Sequence, residues 1–394
     1  MSGKNDAHGT SVDLKSKSPL SLSQETFEQY GIRRLTHLAH ATGLGDEKQK
    51  MLHVLRRMMS PWGSWKIGQK PRWHSDVCAD GSPIEFSMAV DGGAPEVRVL
   101  VEALSSTPEL KAMQGAAREL THTLVSELGA SDVRLRQVED LFLPAEPQGG
   151  YAMMHAVIFR PNQPNDFKVY LNPEARGEAN GVELIREALG RLGFERAWPS
   201  VQEFARRGFR QDRLVYLSLD LTDHEAARVK IYFRHYALTA RELDEAMAIA
   251  RGHQAGYAES FCRDVSGHQG AFVSQPLVSC LSFTDPSDAR PDSATLYVPL
   301  WTYAQNDSVT RTRIRAALLS RTLPATVYER ALETVAQRPL EVANGIHTYA
   351  SLRLHKGRPR ITTYWSSELY DRNPPPRYQQ PGNRESERSL SAHS

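Results

Sequence analysis

Cysteine, long apolar runs and net charge are all scarce in this sequence, and each shortage removes a class of protein. Its 394 residues include three cysteines, Cys78, Cys262 and Cys280, widely spaced and in no C-x-x-C arrangement. That excludes a disulfide framework and a zinc cluster and fits a reducing cytoplasm. No apolar run approaches the ~18 residues needed to cross a bilayer, and the polar, Ser/Lys-rich start reads as no secretory signal. A formal net charge of +2 gives no reason to expect nucleic acid or an anionic membrane as a partner. The phosphate-binding and hydrolase patterns G-x-x-x-x-G-K-S/T, G-x-G-x-x-G and G-x-S-x-G are missing, as is an Asp-rich D-D-x-x-D metal motif. What remains is an ordinary globular composition, 40% hydrophobic and 24% charged, expected to be soluble and cytoplasmic. Residues 1–20 and 371–394 are polar or proline-rich without periodicity and read as disordered arm and tail. Between them, 21–370 shows no linker and reads as one domain.

That domain is built from a recurring unit. Alternating strands are predicted at 83–90 and 96–102, 153–160 and 167–172, 214–220 and 227–235, 277–283 and 294–300, and 346–354 and 359–365. Each pair flanks a turn rich in Gly, Pro, Asn or Asp, and helical spacing separates the pairs: 26–42, 47–59, 108–128, 181–192, 240–261 and 310–336. Trp62, Trp65 and Trp73 fall in a loop and read as packing residues. Five hairpins start about 60 to 70 residues apart, the mark of a repeat architecture.

Ten antiparallel strands have edges to hide, and closure into one barrel removes them. One face of the strands is apolar, as in Val97/Val99/Val101, Val229/Ile231/Phe233 and Leu296/Val298/Leu300. The other carries Glu85, Arg98, Lys168, Tyr170, Arg228, Lys230, Tyr232, Tyr297, Tyr349, Arg353 and Tyr364. The fold predicted is α+β: a ten-stranded antiparallel barrel, apolar outside under helices and polar within, made of five αββα repeats. Ten strands leave an interior wide enough for a ligand. A two-layer α+β protein with a solvated sheet face also fits the pattern.

In a barrel, Arg98, Lys168, Arg228, Lys230 and Arg353 would share an interior that Glu85 and Glu96 do not neutralise, so a bound polyanion is expected. Arg forks and Lys point charges suit a diphosphate. Tyr170, Tyr232, Tyr297, Tyr349 and Tyr364 add ring faces that stabilise a cation by roughly 0.5–2 kcal/mol each. A diphosphate clamp beside an aromatic cage suits heterolysis of an allylic diphosphate. Singly, each tyrosine reads as core before it reads as catalytic; the shared parity raises the set. Glu85 interrupts an apolar strand and is either an acid–base group or the ion-pair partner of Arg98. His155, between Met154 and Ala156, is either a base or a core histidine. Within 228–236, Arg234 and His235 are placed at the rim or outside.

The segments 83–87, 95–102, 168–173, 228–232, 295–299 and 358–364 together resemble the dimethylallyltryptophan synthase family, indole prenyltransferases built on the αββα barrel. The bacterial branch is the nearer, and the likeness runs from about residue 24 to 370. The resemblance implies that Glu85 binds the indole N–H. It puts Arg98, Lys168, Arg228 and Lys230 on the diphosphate and makes Tyr170, Tyr232, Tyr297 and Tyr364 the cation shield. No metal or other cofactor is implied. The expected reaction is transfer of a dimethylallyl group from dimethylallyl diphosphate to the ring of L-tryptophan, at a benzenoid carbon such as C6. The alternatives are a tryptophan-containing peptide or phenolic acceptor, or a non-catalytic barrel for an anionic metabolite. The expected partners are these small molecules alone, with the protein a monomer or homodimer. Two departures stand out: Thr295 where some fungal members have Gln, and His155 where some C4-prenylating members have Lys.

Overall fold

Ten strands close on themselves in the order β1-β10-β9-β8-β7-β6-β5-β4-β3-β2. The computed structural model describes residues 22–355 and 357–370. The arm and tail expected at 1–20 and 371–394, and Lys356 of the last turn, lie outside the described residues. The strands are β1 Ile84–Val90, β2 Glu96–Glu102, β3 Met153–Phe159, β4 Asp166–Leu171, β5 Asp212–Asp220, β6 Val229–His235, β7 Leu277–Phe283, β8 Ser293–Pro299, β9 His347–His355 and β10 Arg358–Trp365. All neighbours are antiparallel, and β1 pairs with β10 from Phe86↔Trp365 to Val90↔Ile361. The two-layer alternative is therefore wrong: among the described residues no edge strand is left over.

Because side chains alternate across a strand, register alone assigns each residue to a face. One rung runs Val99↔Val157 and Val157↔Phe167, another Leu217↔Ile231 and Ile231↔Leu281. These buried residues join one core with the surrounding helices. Fully covered strands explain why β1, β3 and β7 are buried throughout.

The helices follow local signals. Phe27–Ala41 starts at Thr26, whose hydroxyl accepts from the Gln29 amide while Gln29 returns the bond, a capping box. Trp62 packs edge-on against Phe27 at 5.2 Å, and Trp73 donates to Glu102. The single helix expected over 240–261 is instead two, Ala240–Met247 and Tyr257–Ser266. Gly252 and Gly256 between them take positive φ, and the buried Asp244 carboxylate turns back to accept from the amides of Gly256 and Ala258. Periodicity did not register that break. Among the described residues no helix is long and apolar enough to cross a membrane.

Register also gives the barrel two chemically distinct ends. The five hairpin turns lie at one, beside Glu96, Asp166, Asp220, Arg353 and Arg360. The other holds Glu85, Tyr151, Arg234, Trp301 and Tyr349.

Candidate active site

The lumen gathers side chains from eight strands. Lining one cavity are Glu85, Ser87, Arg98, Arg160, Lys168, Tyr170, Arg228, Lys230, Tyr232, Thr295, Tyr297, Ser351, Arg353, Arg360, Thr362 and Tyr364, with Val99, Leu100, Ala156 and Ile158 as apolar wall. Seven of these are cations. Sequence parity found five of them; Arg160 and Arg360 are additions.

The cations fall into two classes. Glu96 gathers Arg98 at 3.0 Å, and also Arg160 and Arg360. Asp220 takes Lys168 Nζ at 2.8 Å and Arg228 Nε at 2.7 Å. Burial opposes ionisation of both acids, but the surrounding cations outweigh it and hold each well below the usual carboxylate range. Lys230 and Arg353 differ: among the described residues neither has an acid within ion-pair distance. Burial pushes Lys230 well below the usual lysine value, with Lys168 and Arg228 adding to it, and brings Arg353 down to about 10. Burial also lowers Lys168 to about 8, against the pull of Asp220. An incoming anion would favour the protonated form of all three.

Tyrosines ring the middle of the barrel. Tyr170, Tyr232, Tyr297 and Tyr364 come from β4, β6, β8 and β10, the second strand of each of four hairpins. Their centroids are 5.8 Å (170–232), 5.8 Å (232–297) and 5.9 Å (297–364) apart. Tyr216, which sequence reading passed over, joins from β5 at 5.7 Å from Tyr232. Tyr349 packs on the same cluster as Tyr170, Tyr216 and Tyr297 and meets Trp301 at 5.2 Å, but it is not among the residues that line the cavity. Cys280 faces Tyr232 and Thr295 across the register and is fully buried.

Glu85 projects into the lumen and accepts a hydrogen bond from the Thr348 hydroxyl at 3.2 Å. The alternative ion pair with Arg98 does not form, because Arg98 is held by Glu96. Burial without a cation raises the Glu85 carboxyl to about 8, a value poised for proton traffic near neutrality.

His155 corrects the expectation. It pairs with Val101, so its ring points out of the barrel into the helix layer, where Nε2 meets Thr121 Oγ1 at 2.8 Å. Burial lowers its pKa to about 3, and it is a neutral core histidine. The neighbours that face the lumen are Met154 and Ala156. His155→Leu should keep kcat/KM within about twofold of the native value while changing the melting temperature; a hundredfold loss of activity in a folded variant would return His155 to the chemistry. His235 is also outside, fixed between Asp212 at 2.7 Å and Ser279 at 2.7 Å, while Arg234 faces inward at the rim, its register partner being Val278.

Among the described residues no group of three His, Cys, Asp or Glu is placed to hold a metal ion. What the arrangement can do is bind a polyanion at the turn end, shield a cation at the middle and offer a carboxylate to an N–H beyond it.

A family model described as tryptophan dimethylallyltransferase matches residues 24–330. A 6-dimethylallyltryptophan synthase from Micromonospora olivasterospora, solved in complex with DMASPP and Trp, is 33% identical, with 91% of this chain and 100% of that one covered and a TM-score of 0.84. A 5-dimethylallyl tryptophan synthase from Streptomyces coelicolor, also solved with DMASPP and Trp, is 31% identical over 89% of this chain and 98% of its own, with a TM-score of 0.81. Prenyltransferase phqJ from Penicillium fellutanum is 25% identical over a 233-residue alignment that covers 50% of this chain. The chain spans about half of that curated relative, 54% of its length.

Proposed function

The chain belongs to the tryptophan dimethylallyltransferase family, the aromatic prenyltransferases of the αββα barrel, and on that premise we propose that it transfers a dimethylallyl group from dimethylallyl diphosphate to the indole ring of L-tryptophan. The observation that carries this reading is the order of groups along the lumen: seven cations at one end, tyrosine faces between, and a cation-free carboxylate beyond them.

The donor diphosphate lies among the cations, with Lys230 and Arg353 taking the charge that Glu96 and Asp220 leave uncompensated. The C1–O bond breaks with its electron pair leaving on the diphosphate. Tyrosine faces stabilise the resulting allylic cation and keep water from it. Glu85 accepts the indole N–H, orienting the ring and raising its electron density. A ring carbon attacks C1, and the ring proton lost to Glu85 or to water restores aromaticity. The protein cations supply the electrostatic work on the leaving group, so no divalent metal is part of the proposal. The protein is further taken to act as a cytoplasmic monomer or homodimer, with 21–370 as its single unit; light scattering of the purified protein checks the assembly, and a larger particle would refute it.

Two relatives of similar identity bear names that differ in ring position, C6 and C5. A benzenoid carbon is therefore the proposed target, with C6 placed first. NMR of the product isolated after incubation with tryptophan tests acceptor and position together. The expected spectrum keeps the indole N–H and C2–H signals and loses one benzenoid proton. Product only from a tryptophan-containing peptide or a phenol would displace the reading.

A further inference from the structure

Asp220 sits where a diphosphate site has least use for an acid. It is 8% exposed and stands at the turn end of β5, opposite Lys168 in the register. Its Oδ1 meets Lys168 Nζ at 2.8 Å. Its Oδ2 takes Arg228 Nε at 2.7 Å and the Arg228 backbone amide at 3.2 Å. One carboxylate thus ties side chains from β4 and from the start of β6, fixing both against the lumen wall. A negative charge in an anion site costs affinity for the anion unless it does something for the cations that exceeds that cost.

We propose that Asp220 is a positioning residue of the donor site: it sets Lys168 and Arg228 side by side and keeps Lys168 charged among its cationic neighbours. The inference rests on the reading of this end as a diphosphate site. Lys168 faces Arg228 and Lys230 from the β6 segment, Arg98 from β2 and Cys280 from β7; Arg134, in the short helix Val133–Arg136, acts on Asp220 from behind. Among the described residues Asp220 is the acid paired with Lys168, so without it burial and the cations around Lys168 would weaken its hold on its proton. Arg228 would lose its hydrogen bonds to the carboxylate and keep its charge.

The test is binding of inorganic diphosphate, followed by calorimetry between pH 6 and 8.5, for the full chain and its Asp220→Asn variant. The ratio of variant to native dissociation constants cancels the titration of the diphosphate itself. Each unit of pKa lost from Lys168 is a tenfold loss of its protonated form above that pKa. The expected ratio is about twofold at pH 6 and about tenfold or more at pH 8.5, and Asp220→Glu should restore most of the affinity. A ratio that is the same at every pH would assign Asp220 to packing alone, and tighter binding by the variant would make it a competitor of the anion; either overturns the proposal. Lys168→Arg, whose guanidinium does not release its proton in this range, gives a second reading independent of how Asp220→Asn folds. The ratio of native to Lys168→Arg dissociation constants should rise as pH passes about 8, and a ratio that is the same at every pH would contradict the inference. Failure of the native protein to bind diphosphate at any pH would instead overturn the donor site itself.

Discussion

Glu85→Gln is expected to lower kcat about 100-fold while leaving the dissociation constant for the donor within about twofold, the range for a general acid–base or charged hydrogen-bonding group that acts on the reacting ring. Gln keeps the shape of the side chain and an acceptor oxygen, so what is lost is the charge that strengthens as the ring becomes cationic. The pH dependence follows with a definite sign. Burial raises the carboxyl to about 8; below that value the reactive carboxylate is the minor form and falls tenfold for each pH unit. With donor saturating, kcat/KM for the acceptor should therefore climb with pH up to about 8 in the native enzyme and stay flat there in Glu85→Gln. Parallel loss of donor affinity, or survival of the acid limb in the variant, would make Glu85 a structural group.

Lys230→Met should separate activity from stability. Lys230 stands in the lumen without an acid in ion-pair reach among the described residues, beside Lys168 and Arg228. Its charge is unfavourable to the empty fold and useful once a diphosphate arrives. Removing a preorganised charge from a leaving-group site costs on the order of 10²–10³ in rate, so kcat/KM for the donor should fall by at least about 100-fold. The same substitution replaces an unpaired cation by an apolar chain of similar length, and the melting temperature of the empty protein should rise by roughly 1 °C, corresponding to about 1 kcal/mol. A variant that loses activity and stability together would show that Lys230 is held by contacts outside this account. The opposite signs are expected because sites of this kind carry strain that the fold tolerates for function.

The barrel was legible in the sequence because ten strands share one alternation and the turns between them carry Gly, Pro, Asn and Asp. The bounds of β2 and β7 emerged as Glu96–Glu102 and Leu277–Phe283, and the polar parity of β4, β6, β8 and β10 picked the tyrosine ring. Parity failed where both faces of a strand are apolar. In Met153–Phe159 nothing local distinguishes inside from outside, and only the pairing of His155 with Val101 sends that ring into the helix layer. Tyr349 has the inward face and packs with the other tyrosines without lining the cavity, since alternation gives direction but not position along the barrel axis. Two of the missed residues did carry a signal. Asp220 shares parity with Tyr216 and Ser218 on β5, and Arg360 with Thr362 and Tyr364 on β10. Arg160 carried none, because its inward neighbours on β3 are Ala156 and Ile158. The counter-acids were underweighted for a physical reason: composition shows how many charges exist, and only register shows that Glu96 serves three arginines while Glu85 serves none.

The most direct measurement is mass spectrometry of tryptophan incubated with dimethylallyl diphosphate and the purified protein in excess EDTA. The expected product is tryptophan carrying one dimethylallyl group in place of one hydrogen, formed at the same rate with and without the chelator. Unmodified tryptophan, or product that appears only when a divalent metal is restored, would contradict it.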